Sequence, residues 1–102
     1  MNFQTHNNKR VNCVGTCFQD EIVATFADLK KKFGKPHGSD GYKSDAEWEI
    51  EFENGVVATI YNWKNGKNYC GASGTAKTKI TNWHVGGKSQ EAVRLVKQAL
   101  QS

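Results

Sequence analysis

Ala46-Glu47-Trp48-Glu49-Ile50-Glu51-Phe52-Glu53-Asn54-Gly55-Val56-Val57-Ala58-Thr59-Ile60-Tyr61-Asn62-Trp63-Lys64 is the most regular stretch of this 102-residue chain. Trp48, Ile50 and Phe52 alternate with Glu47, Glu49, Glu51 and Glu53. Side chains on a strand point to opposite faces with period two, so the alternation predicts a half-buried strand. Asn54-Gly55 is a preferred two-residue hairpin turn. The return strand then runs from Val56 to Lys64, with Phe52 opposite Val57, Ile50 opposite Thr59 and Trp48 opposite Tyr61. That register leaves Val56, Ala58 and Ile60 on the glutamate side. A strand apolar on both faces is expected at the centre of a sheet or under a second subunit. The glutamate row itself reads as a solvated face.

Helices flank the hairpin in sequence. Thr25 caps a predicted helix from Phe26 to Phe33, whose apolar residues Phe26, Leu29 and Phe33 recur with helical spacing. Gly34 and Pro36 stop it. Ser89 caps a second helix beginning at Gln90, with Ala92, Val93, Val96, Ala99 and Leu100 as its packed residues. Further strands are expected around Val11 to Phe18, with a turn at Gln19-Asp20, and over Lys79 to Val85. Residues 34–45 and 65–78 read as loops, the second long enough to serve as a lid. The expected fold class is α+β: a small two-layer sandwich, with a mainly antiparallel sheet, two helices and the order β-α-β-β-β-α. One domain spans residues 1–102, and the polar residues 1–9 are expected to form a flexible N-terminus.

The composition is that of a soluble globular protein, with 37% hydrophobic and 24% charged residues. No apolar run reaches membrane-spanning length, and the first residues lack the pattern of a secretory signal. A net charge of +4 suits a phosphate-bearing partner without requiring a long nucleic acid. The three cysteines, Cys13, Cys17 and Cys70, are too few and odd in number for a complete disulfide framework. Together with His84 they would give four possible zinc ligands, but the chain has no second close pair, so reduced structural thiols are expected and no metal or cofactor.

Chemistry concentrates near Asn82-Trp83-His84-Val85-Gly86-Gly87-Lys88-Ser89. Gly87-Lys88-Ser89 matches the end of a P-loop, but position 82 holds Asn where that motif requires its first glycine. Two readings of the stretch remain: a strand-to-helix turn, or a pocket at a helix N-terminus where amides meet an anion. In the second, Tyr61, Trp63, Trp83 and His84 stack on bases, while Lys64, Lys67, Lys88 and the Gly86, Gly87 and Ser89 amides meet phosphate. Asn62 and Tyr69 then read a base edge or ribose. For Tyr61 and Trp83 core packing is the competing role.

Three segments in order, Phe26 to Pro36, Ala46 to Lys64, and Trp83 to Gly87 leading into the last helix, resemble a widespread family of small phage-encoded proteins. The similarity runs from Val11 onward through almost the whole chain. The family is identified as the anti-CBASS sponges of the fourth named type. This resemblance implies a viral immune-evasion protein, in the cytoplasm of the infected bacterial host. It would sequester a cyclic dinucleotide such as 3′,3′-cyclic GMP–AMP without cleaving it. It also implies a homo-oligomer, a tetramer, which would cover a two-sided apolar strand. The rival readings are a single-stranded nucleic-acid-binding module, a protein-directed inhibitor of a host defence factor, and a phosphodiesterase with His84 and a glutamate as its acid–base pair. No paired-histidine motif or activated nucleophile supports the last, so no catalytic residue is assigned.

Overall fold

The computed structural model describes residues 2–36, 46–63 and 70–101, the side chain of Ala72 apart. In chain order these form β1 (Phe3–Thr5), β2 (Cys17–Val23), α1 (Phe26–Phe33), β3 (Glu47–Phe52), β4 (Val57–Tyr61), β5 (Asn82–Gly87) and α2 (Gln90–Gln101). Short 3-10 turns at Gly71–Ser73 and Lys77–Lys79 precede β5. The strands make one antiparallel sheet in the order β1-β3-β4-β5-β2, and α1 and α2 pack on one of its faces. The fold is α+β, as expected, with an additional N-terminal strand.

Local hydrogen bonds set both ends of α1 and the start of α2. The Thr25 hydroxyl accepts from Asp28 N–H at 3.0 Å, satisfying a first-turn donor of α1. Gly34, at φ +87°, closes the helix by donating its N–H to the Lys30 carbonyl. Ser89 Oγ accepts from Glu91 N–H at the start of α2, which buries Ala92, Val93, Leu95, Val96 and Ala99. Between helices and sheet lie Trp48 and Trp83, both wholly buried, with ring centroids 5.4 Å apart in an edge contact. Their indole N–H groups donate to backbone carbonyls at opposite ends of α1, Trp83 to Ala24 at 3.0 Å and Trp48 to Gly34 at 2.7 Å.

The hairpin register differs by one residue from the sequence expectation. Trp48 lies opposite Ile60, Ile50 opposite Ala58 and Glu49 opposite Thr59. The connection is a three-residue loop, Glu53-Asn54-Gly55, in which Gly55 N–H donates to the Phe52 carbonyl and Phe52 N–H to that of Val56. Gly55 at φ +88° takes the left-handed position of a turn with a glycine bulge. A one-residue slip exchanges the two faces of a strand. Ala58 and Ile60 therefore enter the core, while Val57, Thr59 and Tyr61 share the glutamate side. β4 is the central strand, so its apolar character on both faces needs no second subunit to explain it.

The N-terminus and β2 also depart from expectation. Residues Phe3–Thr5 pair with Phe52, Glu51 and Ile50 of β3 rather than trailing as a flexible tail, because Phe3 packs on Phe33 and Phe52 at 5.2 and 5.9 Å. β2 starts at Cys17 and continues to Val23 through a bulge between Phe18 and Asp20, where a turn had been expected. β1 and β2 lie on opposite edges of the sheet, so residues 6–16 must cross it. They cross the face remote from the helices. Lys9 Nζ meets Glu51 Oε2 at 3.1 Å, the Cys13 thiol donates to Glu49 Oε2 at 2.9 Å, and Val11 is buried outside the main core.

Burial, the hydrogen bond to Glu49 and the nearby negative charges of Glu49 and Glu47 push the Cys13 thiol up to about 12. Since the thiolate is the reacting species, Cys13 should resist a disulfide reagent at pH 8 in the folded chain, whereas the exposed Cys17 and Cys70 react fast. Timed thiol titration should give two fast equivalents and one slow one that becomes fast in denaturant. Three equal rates would show that the crossing segment is not held against β3.

Candidate ligand face of the sheet

With Trp83 and Val85 turned into the core, alternation along β5 sends His84 to the opposite face. The pairing then sets Glu47, Tyr61, His84 and Glu21 side by side across β3, β4, β5 and β2. A neighbouring row runs Glu49, Thr59, Gly86, Phe18. The crossing segment engages the second row at Glu49. The first row stays more open: the His84 and Glu21 side chains are 23% and 59% exposed.

His84 is the hub of an aromatic group. Its ring centroid lies 4.6 Å from Phe18, 5.6 Å from Tyr61 and 6.5 Å from Trp63. The Trp63 and His84 rings are near parallel, at 28°, while Tyr61 stands edge-on to Trp63. Trp63 is 41% and Phe18 51% exposed, high values for rings of that size. Carboxylates bracket the group. Glu21 Oε1 is 3.7 Å from His84 Nε2, and burial together with the charge of Glu47 and then of Cys17 raises the Tyr61 hydroxyl above its ordinary range.

The residues proposed from sequence divide sharply. Tyr61, Trp63 and His84 come together on this face. Trp83 does not: it is buried to the last atom and its indole N–H is engaged, so its role is core packing. Asn62 is also fully buried, with Oδ1 accepting from Ala46 N–H at 3.1 Å, which makes it a brace between the start of β3 and the end of β4.

Gly86 and Gly87 form no anion-binding turn. They are the last residues of β5, laddered to β4 and β2 with neither at positive φ. Their lack of a side chain serves packing. A Cβ on Gly87 would come within 2.5 Å of the Ala92 Cβ of α2, and one on Gly86 within 2.5 Å of Thr59 Oγ1. Lys88 and Ser89 are exposed beyond the strand, Ser89 as a cap residue. Lys64, Lys67 and Tyr69 lie outside the described residues.

Phe18, Glu21 and Glu47 were not singled out from the sequence. Phe18 and Glu21 straddle the bulge, which hides the alternation of β2, and Glu47 is indistinguishable by pattern from the rest of its row. Among the described residues no group of three or more His, Cys, Asp or Glu is placed to hold a metal ion, and no helix is long and apolar enough to cross a membrane. No protein-family model, curated protein or solved structure matches the chain.

The division between Trp63 and Trp83 is open to direct test. Truncating a buried tryptophan costs about 3–5 kcal/mol, whereas surface changes stay near ±0.5 kcal/mol. Urea unfolding of Trp83→Ala should show the large loss and Trp63→Ala a small one. Equal losses would place Trp63 in the core.

Proposed function

We propose that this protein binds and sequesters a cyclic dinucleotide without cleaving it, and that the open end of the sheet is where a base stacks. The observation that carries this reading is the Phe18, Tyr61, Trp63 and His84 group: four rings on the face away from the helices, two of them strongly exposed. Folding gains little from leaving such rings in water, whereas a flat base stacked on an aromatic contributes about 1–3 kcal/mol. The resemblance to the anti-CBASS sponges points to the same ligand class, with 3′,3′-cyclic GMP–AMP as its representative.

A long single strand fits this face less well. Glu21 and Glu47 bracket the rings and would repel a continuous phosphate backbone. A compact ligand can seat its bases on the rings and keep its phosphates at the rim. Lys88, exposed just past β5, is the cation proposed for that rim. The catalytic alternative has His84 beside Glu21, but a general base needs a positioned nucleophile as well as a proton acceptor.

Titration calorimetry with 3′,3′-cyclic GMP–AMP, followed by chromatography of the released ligand, tests the reading. Saturable binding with intact ligand recovered is expected. Trp63→Ala should weaken it by about 10- to 100-fold, the loss of one base stack, while unfolding remains cooperative. Cleaved ligand would make the protein a phosphodiesterase, and unchanged affinity in Trp63→Ala would remove the aromatic group from the site.

A further inference from the structure

The row Glu47, Tyr61, His84, Glu21 sets a demand on the ligand that stacking alone does not. Rings accept any base, because every base has a π face. Carboxylates do not. An ionised carboxylate only accepts hydrogen bonds, with two oxygens in one plane. A stacked base must therefore present donors where its edge meets the end of the row.

We propose that Glu21 reads a guanine, its carboxylate accepting from N1–H and the N2 amino group of one base. This assignment rests on the nucleotide-capture reading above and narrows it to guanine-containing cyclic dinucleotides. Guanine carries two adjacent donors on its Watson–Crick edge, matched to the two oxygens of one carboxylate. Adenine offers only its exocyclic amino group beside an acceptor nitrogen, and uracil a single N–H between two carbonyls. Against either, a carboxylate faces at least one lone pair, and desolvating an ionised group against an acceptor is strongly unfavourable.

Of the two carboxylates bracketing the rings, Glu21 is the one placed for this work. It sits beside the hub, 3.7 Å from His84 Nε2, at the end of the row on an edge strand, and its side chain is 59% exposed. β2 adjoins β5, so Glu21 is the carboxylate next to a base stacked beside His84. Glu47 is half-buried and sits across from Tyr61, whose hydroxyl feels its charge. No other described carboxylate shares the row.

The test is calorimetry of the full chain with 3′,3′-cyclic di-GMP, cyclic di-IMP and cyclic di-AMP. Cyclic di-IMP keeps N1–H but lacks the N2 amino group. The wild-type chain should bind the guanine ligand at least ~10-fold more tightly than the hypoxanthine ligand, as expected when one arm of a bidentate pair is lost, and adenine more weakly still. Glu21→Gln should abolish the difference between the first two, because the amide presents a donor to one of the guanine donors. Glu47→Gln should preserve it. If cyclic di-AMP binds as tightly as cyclic di-GMP, or if Glu21→Gln keeps the preference, guanine reading by Glu21 is wrong while capture stands. If neither these three nor 3′,3′-cyclic GMP–AMP binds, capture itself fails and the assignment with it.

Discussion

Two indole hydrogen bonds hold the structure in order. Trp83 donates to Ala24 and Trp48 to Gly34, so the sheet grips α1 just before its cap and again at its closing glycine. Buried indole N–H groups need partners, and here the partners are carbonyls outside the regular helical ladder. The bonds fix the helix over the sheet with little freedom to slide. They also fix which way each strand faces. Trp48 pointing inward sends Glu47 and Glu49 outward, and Trp83 pointing inward sends His84 outward. The candidate site is thus set by the core on the other side of the same sheet.

Topology then decides how much of that outer face stays open. Because β1 and β2 occupy opposite edges, the chain between them has to pass the three strands that separate them, β3, β4 and β5. It does so over Glu51 and Glu49, anchored by the Lys9–Glu51 ion pair, a thiol hydrogen bond and buried Val11. An exposed lysine–glutamate pair contributes little on its own, roughly 0–1 kcal/mol, so the buried valine and the thiol carry more of the hold. The crossing covers one part of the face and leaves the end at Tyr61, His84 and Glu21 accessible.

Much of this was legible in the chain. Thr25, Gly34 and Pro36 bracket α1 by local rules that tertiary structure did not override, and the spacing of Ala92, Val93, Val96 and Ala99 marks the buried side of α2. The hairpin was visible but its register was not. Asn-Gly suits a two-residue turn, while the glycine-bulge loop also takes in Glu53, one residue earlier on β3, and puts Ala58 and Ile60 in the core. The decisive term there is burial on the far side of the strand, which no turn rule contains. β1 escaped because three residues are too few to show a period. Among the aromatics, Trp63 and Trp83 have similar neighbours in sequence and opposite fates in space. Gly86-Gly87 reads as a phosphate turn because glycine permits one, yet here it serves the close approach of α2 and Thr59.

The central claim is that ligand meets the face bearing His84 and Trp63, while the face bearing Trp48 and Trp83 remains core. Nitrogen-15 NMR of the three tryptophan indole N–H signals during titration with 3′,3′-cyclic GMP–AMP tests it in one spectrum. A large shift is expected for Trp63, with Trp48 and Trp83 nearly still in their hydrogen bonds to Gly34 and Ala24. A saturating shift confined to Trp83 or Trp48, with Trp63 unmoved, would contradict it.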